Sequence, residues 1–285
     1  MSFKPTIFLA LLSVMLLGSS SVVQGDQKMK AEEVVARHIE SLGPVAQLSG
    51  IKTRIAVGTV VVNFRTPSVG QAHGRIVMAS AGEKHLIGMI FDNSQNYPQE
   101  KIGYDAKNVT VSYVRPGLRS TLGDFLETHR SIVKQGLVGG SLTQAWPLLD
   151  LESNKFKLEN AGTKKVGNRE AYALRYVAKG SELDVTLFFD AETFQHVRTE
   201  YKRVVAAEMG KTPAQSVHQR ESRYRMVEDY SEFRKEGELT LPHKYKISLE
   251  INLPGASFQA EWEANLAQFT FNDPIDPKSF DVLAN

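Results

Sequence analysis

The sequence predicts a mainly β fold of the α+β kind: a long, curved antiparallel meander covered by one N-terminal helix and one helical insertion. Three observations predict it. From Ile51 onward the apolar residues recur with a period close to two, in runs rich in Val, Ile, Thr, Phe and Tyr separated by turn residues. A single earlier stretch has the three-and-four spacing of an amphipathic helix. The strand pattern is broken once, between Leu118 and Leu149.

Taken in order, residues 1–25 have the layout of a cleavable secretory signal. Lys4 lies beside the amino terminus, an apolar run extends from Ile7 to Leu17, and Gly18, Ser19, Ser20 and Ser21 follow. The run falls short of the ~20 apolar residues that a membrane-crossing helix needs, which makes a permanent anchor the weaker reading. Val23 and Gly25 suit a peptidase that accepts small residues, so the mature chain is expected to start near Asp26.

In the helix, Ala31, Val34, Val35, His38 and Leu42 share one face. Glu32 and Glu33 in its first turn complement the helix dipole, and Gly43 followed by Pro44 ends it. Strands are predicted over residues 51–65, 72–80, 84–92, 100–105 and 108–115. After the interruption they resume over 154–160, 170–178, 182–190, 193–204, 219–228, 231–239, 242–252 and 256–271. Asp105 and Asp190 each stand between two apolar runs, where an Asp side chain can hydrogen-bond the backbone onward and reverse the chain. Gly167-Asn168 and Pro254-Gly255 mark two further hairpins.

Within the interruption, Thr121 and Asp124 predict a capping box ahead of Phe125, Leu126, His129, Ile132 and Val133. Two short helices flanking Gly136 to Gly140 fit the pattern. Such an insertion serves either as a lid or as a structural cover for the sheet. Ala206 to Gln215, with Gly210 and Pro213, reads as an exposed loop. No linker divides the chain, so residues 26–285 are expected to form one domain with an insertion at about 118–149.

Composition excludes several functions. Without cysteine there are no disulfides, no thiolate metal sites and no lipid-modified N-terminal Cys. The charge is balanced, 34 basic against 32 acidic residues, and gives no nucleic-acid signal. Arg220, Arg223 and Arg225 are interrupted by Glu221 and followed by Glu228 and Asp229, as on a solvated strand face.

A search for catalytic motifs finds none. Gly210-Lys211-Thr212 lacks the glycine five residues earlier that a phosphate-binding loop requires, since Val205 stands there. Gly139-Gly140-Ser141 lacks the glycine that completes a nucleophile elbow. His38, His73, His85, His129, His196, His218 and His243 never approach local metal-ligand spacing, so neither a metal nor a cofactor is expected. Asn108-Val109-Thr110 is a glycosylation sequon, relevant only in a eukaryotic secretory pathway.

What remains is an apolar surplus. Val60, Val62 and Phe64 alternate with Val57, Thr59 and Val61, and Ile87, Met89 and Phe91 oppose Leu86 and Ile90, so neither face of these strands reads as freely wet. A sheet that curls towards closure can bury such a face against helices or around a greasy ligand. The concave-face residues are Phe64, Met78, Met89, Phe91, Tyr172, Leu174, Tyr176, Leu187, Phe189, Tyr224, Met226, Tyr245, Ile247 and Trp262. Each singly fits ordinary core packing; as a set they fit a cavity, to which the flexible thioethers of Met are suited.

The leader, the helix ending in Leu42-Gly43, the interrupted meander and the closing Phe269-Thr270-Phe271-Asn272 together resemble the LolA/LolB-like superfamily of bacterial outer-membrane lipoprotein-sorting proteins. The turn Phe189 to Thr193, the stretch Gly237 to Pro242 and the segment Asn272 to Phe280 resemble its hairpin, its passage into a late strand and its terminal segment. The resemblance implies an incomplete antiparallel β-barrel covered by helices, a periplasmic location, and binding and transfer instead of catalysis. It further implies an apolar cavity for the acyl chains of lipoproteins or lipids, with a membrane-protein partner met transiently. Neither Arg54 nor Arg65 lies in a motif that matches the cavity-locking arginine of such carriers. An envelope sensor or scaffold that binds a protein partner through the same fold is the alternative function.

Overall fold

The computed structural model describes residues 29–149, 157–177, 180–207 and 221–284. The export signal over 1–25, most of the loop predicted over 206–215 and the start of the strand predicted from 154 lie outside them.

The chain opens with α1 (Ala31–Leu42), whose buried residues are Ala31, Val34, Val35, His38 and Leu42, the face expected from their spacing. Gly43 then brings the backbone onto a neighbouring strand. Its φ is 142°, and a Cβ there would lie 2.8 Å from the Glu238 carbonyl oxygen, so only glycine fits without displacement. α1 ends at Leu42 with Gly43 as its cap, as expected, but Pro44 then precedes a second short helix that was not expected, α2 (Val45–Gly50), because proline is tolerated before a first turn.

Five strands follow: β1 (Thr53–Thr66), β2 (Gly70–Ala81), β3 (Lys84–Ile90), β4 (Gln99–Tyr104) and β5 (Val109–Val111). After the interruption come β6 (Lys157–Val166), β7 (Arg169–Val177), β8 (Asp184–Asp190) and β9 (His196–Val205), then β10 (Ser222–Glu236), β11 (Leu239–Leu253) and β12 (Ala256–Phe271). All twelve belong to one antiparallel sheet in the order β5-β4-β3-β2-β1-β12-β11-β10-β9-β8-β7-β6. The sheet is therefore two meanders joined where the first strand pairs with the last, and it does not close. Its edges, β5 and β6, are consecutive in sequence and opposite in space. The chain between them has to cross the sheet.

The Asp turns form as expected. Asp105 Oδ1 accepts from the Lys107 and Asn108 amides at 2.8 and 2.6 Å. Asp190 Oδ1 accepts from Glu192 N, Thr193 N and Thr193 Oγ1, while Arg169 pairs with its other oxygen at 3.0 Å.

Most strand bounds move by one to three residues, and two predictions differ in kind. The strands predicted over 219–228 and 231–239 are one, β10: Asp229 and Tyr230, between the two predicted runs, pair with Lys246 and Tyr245, and the register with β11 is the same on either side of Glu232, which has φ 54°. The predicted strand 108–115 shortens to β5, after which Arg115 and Leu118 close a tight turn.

The sheet's convex side is wetter than the sequence implied. In β1, Ala56, Val60 and Val62 are buried but Val57 is 36 % exposed; beyond β3, Phe91 is buried whereas Ile90 is 41 % exposed. Branched apolar residues on this side meet strand propensity without demanding a second covering layer.

The insertion holds α3 (Thr121–Thr128), α4 (Arg130–Lys134) and two 3-10 turns, Gly140–Leu142 and Pro147–Leu149. Both α-helices precede Gly136, where one on each side was expected. The cap of α3 is Ser120, not Thr121: its Oγ accepts from Gly123 N at 2.8 Å. Leu122, Phe125, Leu126, Ile132, Val133, Leu137, Leu142 and Trp146 enter one continuous core with the concave side of the sheet and α1. Among the described residues, no helix is long and apolar enough to cross a membrane.

Candidate functional site

The predicted cavity residues do converge on the concave side, but the insertion covers most of them. Met78, Met89, Phe91, Leu174, Leu187, Phe189, Met226, Tyr245 and Ile247 are buried in the common core, and Tyr172 and Tyr224 pack at its margin. Tyr176, Phe64 and Trp262 reach open clefts. Tyr176 lines one beside α2, and Phe64 and Trp262 line another at the far end of β1.

The first cleft has a volume of about 810 Å³. Ile39 of α1 and Val45, Leu48 and Ile51 in and after α2 form one wall; Trp146, Pro147 and Leu149 of the insertion and Tyr176 of β7 form the other. Lys134 and Glu83 stand at its polar rim. The sequence offered no sign of this wall, because α2 is too short for a periodic pattern and Val45, 66 % exposed, reads as loop.

Polar contacts seat the insertion. Arg54, 2 % exposed, donates from Nη1 to the Ser141 carbonyl at 2.5 Å, and its Cζ lies 5.9 Å from the centre of the Phe271 ring. Burial lowers its pKa to about 10, which still leaves it cationic at neutral pH. Arg65, by contrast, is exposed and pairs with Glu261. Of the two arginines, Arg54 alone reaches the insertion.

Next to this contact, Glu228 of β10 accepts from Gly139 N at 2.8 Å, from Tyr201 OH at 2.6 Å and from Tyr245 OH. Burial raises its pKa, and these donors oppose the rise by favouring the ionised form. Ser80 Oγ accepts from Gln144 N at 2.9 Å.

His38 completes the set. Trp146 Nε1 can only donate, and it lies 3.4 Å from His38 Nε2, so Nε2 is the bare nitrogen and Nδ1–H donates to the Phe194 carbonyl at 3.0 Å. Burial lowers the His38 pKa to about 4, keeping the ring neutral. Trp146 also stacks on His196 with ring centres 4.7 Å apart.

The architecture is that of an open antiparallel half-barrel whose concave side is filled by its own chain, leaving a greasy cleft at the margin. No protein-family model and no curated protein matches the sequence. Similar solved structures include a LolA superfamily protein from Nitrosomonas europaea, 12 % identical at a TM-score of 0.48, over 90 % of this chain and 100 % of that one. A DUF1329 family protein from Desulfovibrio piger is 9 % identical at a TM-score of 0.46, over 89 % and 98 % of the two chains. A domain titled for outer membrane lipoprotein sorting, from Vibrio parahaemolyticus, is 10 % identical at 0.44, over 88 % and 96 %. At such identities and scores these likenesses assign neither ligand nor partner to this chain.

Proposed function

We propose that this protein is a periplasmic carrier that shields an acyl chain of a lipoprotein or lipid in the cleft between α2 and the insertion. The observation that carries the reading is that cleft: about 810 Å³, walled by Ile39, Val45, Leu48, Ile51, Trp146 and Leu149. Its volume lies in the usual range for small-molecule sites, ~300–1,000 Å³. Burying ten methylenes there would contribute ~8 kcal/mol gross, of the order of the ~4–15 kcal/mol that association costs, so affinity depends on fit and on any headgroup contact. The leader over residues 1–25 supports export, and the superfamily that the sequence resembles supports transfer in the envelope.

Native purification followed by lipid mass spectrometry tests the reading, together with displacement of a fluorescent fatty-acid probe from delipidated protein. Co-purifying lipid and saturable displacement are expected. Failure of both would overturn the carrier role and leave the scaffold alternative, which a pull-down from envelope extracts would then address.

A further inference from the structure

The second cleft, of about 480 Å³, opens beside Phe64, Leu122, Phe258 and Trp262, at the end of β1 remote from the acyl cleft. Beneath it a chain of hydrogen bonds ends on one carboxyl group. Trp262 Nε1 donates to Tyr97 OH at 2.9 Å, and Tyr97 OH donates to Glu100 Oε2 at 2.6 Å. Ser120 Oγ donates to the same oxygen, and as the cap of α3 it accepts from Gly123 N. Each hydroxyl has one proton and gives it to Glu100, so one carboxyl group links the floor of the cleft to the start of the helix that forms its wall.

Glu100 is 3 % exposed, and among the described residues the groups that act on its charge are Ser120, Tyr97 and Asp124, none of them a cation. Asp124 of α3 faces it as a like charge. Arg119, one residue before the cap, turns its guanidinium to the Val111 carbonyl, Tyr113 OH and Glu127. From β12 the neighbour is the Trp262 indole, through Tyr97, and from β3 it is Met89, the register partner of Glu100. With Oε2 taken by two donors, Oε1 is the oxygen left to carry a proton; it lies 3.1 Å from where a Cβ on Gly123 would be, against the first turn of α3.

We propose that Glu100 is a proton-operated seat for α3: as a neutral carboxyl it stays buried beneath Ser120 and Leu122, whereas the ionised carboxylate has to be hydrated, which lifts the first turn of α3 off the Trp262 floor and widens this cleft. Burial is the main cause that lifts its pKa to about 7, Asp124 adds to it, and the Ser120 and Tyr97 hydrogen bonds oppose it. The raised value fixes the sign. The closed seat has its full advantage below the ordinary carboxyl pKa of about 4.5, loses it progressively as the pH rises, and has lost it above about 7. The proposal does not depend on the acyl cleft and can fail or hold independently of it.

Hydrogen exchange of the full chain between pH 5 and 8, corrected for intrinsic rates, provides the test. Protection of amides 120–126 is expected to fall roughly tenfold per pH unit and to level off near pH 7, with no parallel fall in β11. Glu100→Gln should abolish the dependence. Tyr97→Phe removes a donor that favours the ionised form, and should move the levelling point to higher pH even if Glu100→Gln fails to fold. Protection of 120–126 that does not change with pH, or a profile that Tyr97→Phe leaves in place, would overturn the proposal.

Discussion

Arg54 and Ser141 stand 87 positions apart in the sequence and meet at 2.5 Å inside the fold, a β1 guanidinium donating to a carbonyl of the insertion. Replacing Arg54 by Leu leaves that carbonyl buried without its donor, at a cost of ~1–3 kcal/mol. Urea denaturation should show a lowered midpoint, and limited proteolysis should cut first within 136–146. An unchanged midpoint would mean that the contact contributes nothing net.

Gly136 and Gly167 share nearly the same backbone, φ 68° and 60°, but different surroundings. A Cβ on Gly136 would lie 1.9 Å from the Ala145 carbonyl oxygen, whereas one on Gly167 would meet nothing within 4 Å. Gly167→Ala should therefore cost only the conformational penalty, about 1 kcal/mol. Gly136→Ala should cost several times as much, since the backbone of the insertion has to move. Equal thermal shifts for the two variants would contradict the packing described for the insertion.

His38 and His85 are buried and neutral, each with its pKa lowered from 6.5 to about 4, mainly by burial. A lowered folded-state value means that stability is complete above pH 6.5 and declines as the pH falls towards 4. The expected slope is about 1.4 kcal/mol per pH unit for each ring across that window. His38→Gln and His85→Gln should each reduce the slope of stability against pH, whatever they do to stability at pH 7. A slope that neither substitution changes would place the acid sensitivity elsewhere.

Val45 lines the cleft beside α2 while 66 % exposed, so Val45→Glu separates the proposed acyl binding from folding. Its effect on stability should stay within about 0.5 kcal/mol, as at most exposed positions. A carboxylate in the apolar wall should weaken binding of a fatty-acid probe by about tenfold, read by displacement titration. Val177→Glu, on an exposed residue of β7 outside the cleft, serves as the control. Equal affinity in both variants would remove the cleft as the site.

How far the site could be read from the sequence differs from element to element. The buried face of α1 was legible because five apolar or aromatic residues repeat within three turns of one helix. The turns at Asp105 and Asp190 were legible because an Asp oxygen closes them with amides two and three residues on. The bounds of β12, Ala256–Phe271, agree with the predicted 256–271 because Pro254-Gly255 and Asn272-Asp273 punctuate both ends. β10 was split at Asp229-Tyr230, whose pairing with Lys246 and Tyr245 across to β11 makes them part of one continuous strand, a relation that the local sequence does not carry.

The sequence by itself determined the strand-rich chain, its first helix, its local reversals and the apolar residues of the concave side, since each depends on neighbours within a few positions. Tertiary structure alone decided that β1 pairs with β12, that β5 and β6 become opposite edges, and that the insertion must therefore cross and fill the concavity. The partners of Arg54, Glu100 and Glu228 were decided with it. The physical reason is the range of the interactions: periodicity and turn chemistry act along the chain, whereas whether an apolar face meets a ligand or another part of its own chain depends on packing between residues far apart in sequence.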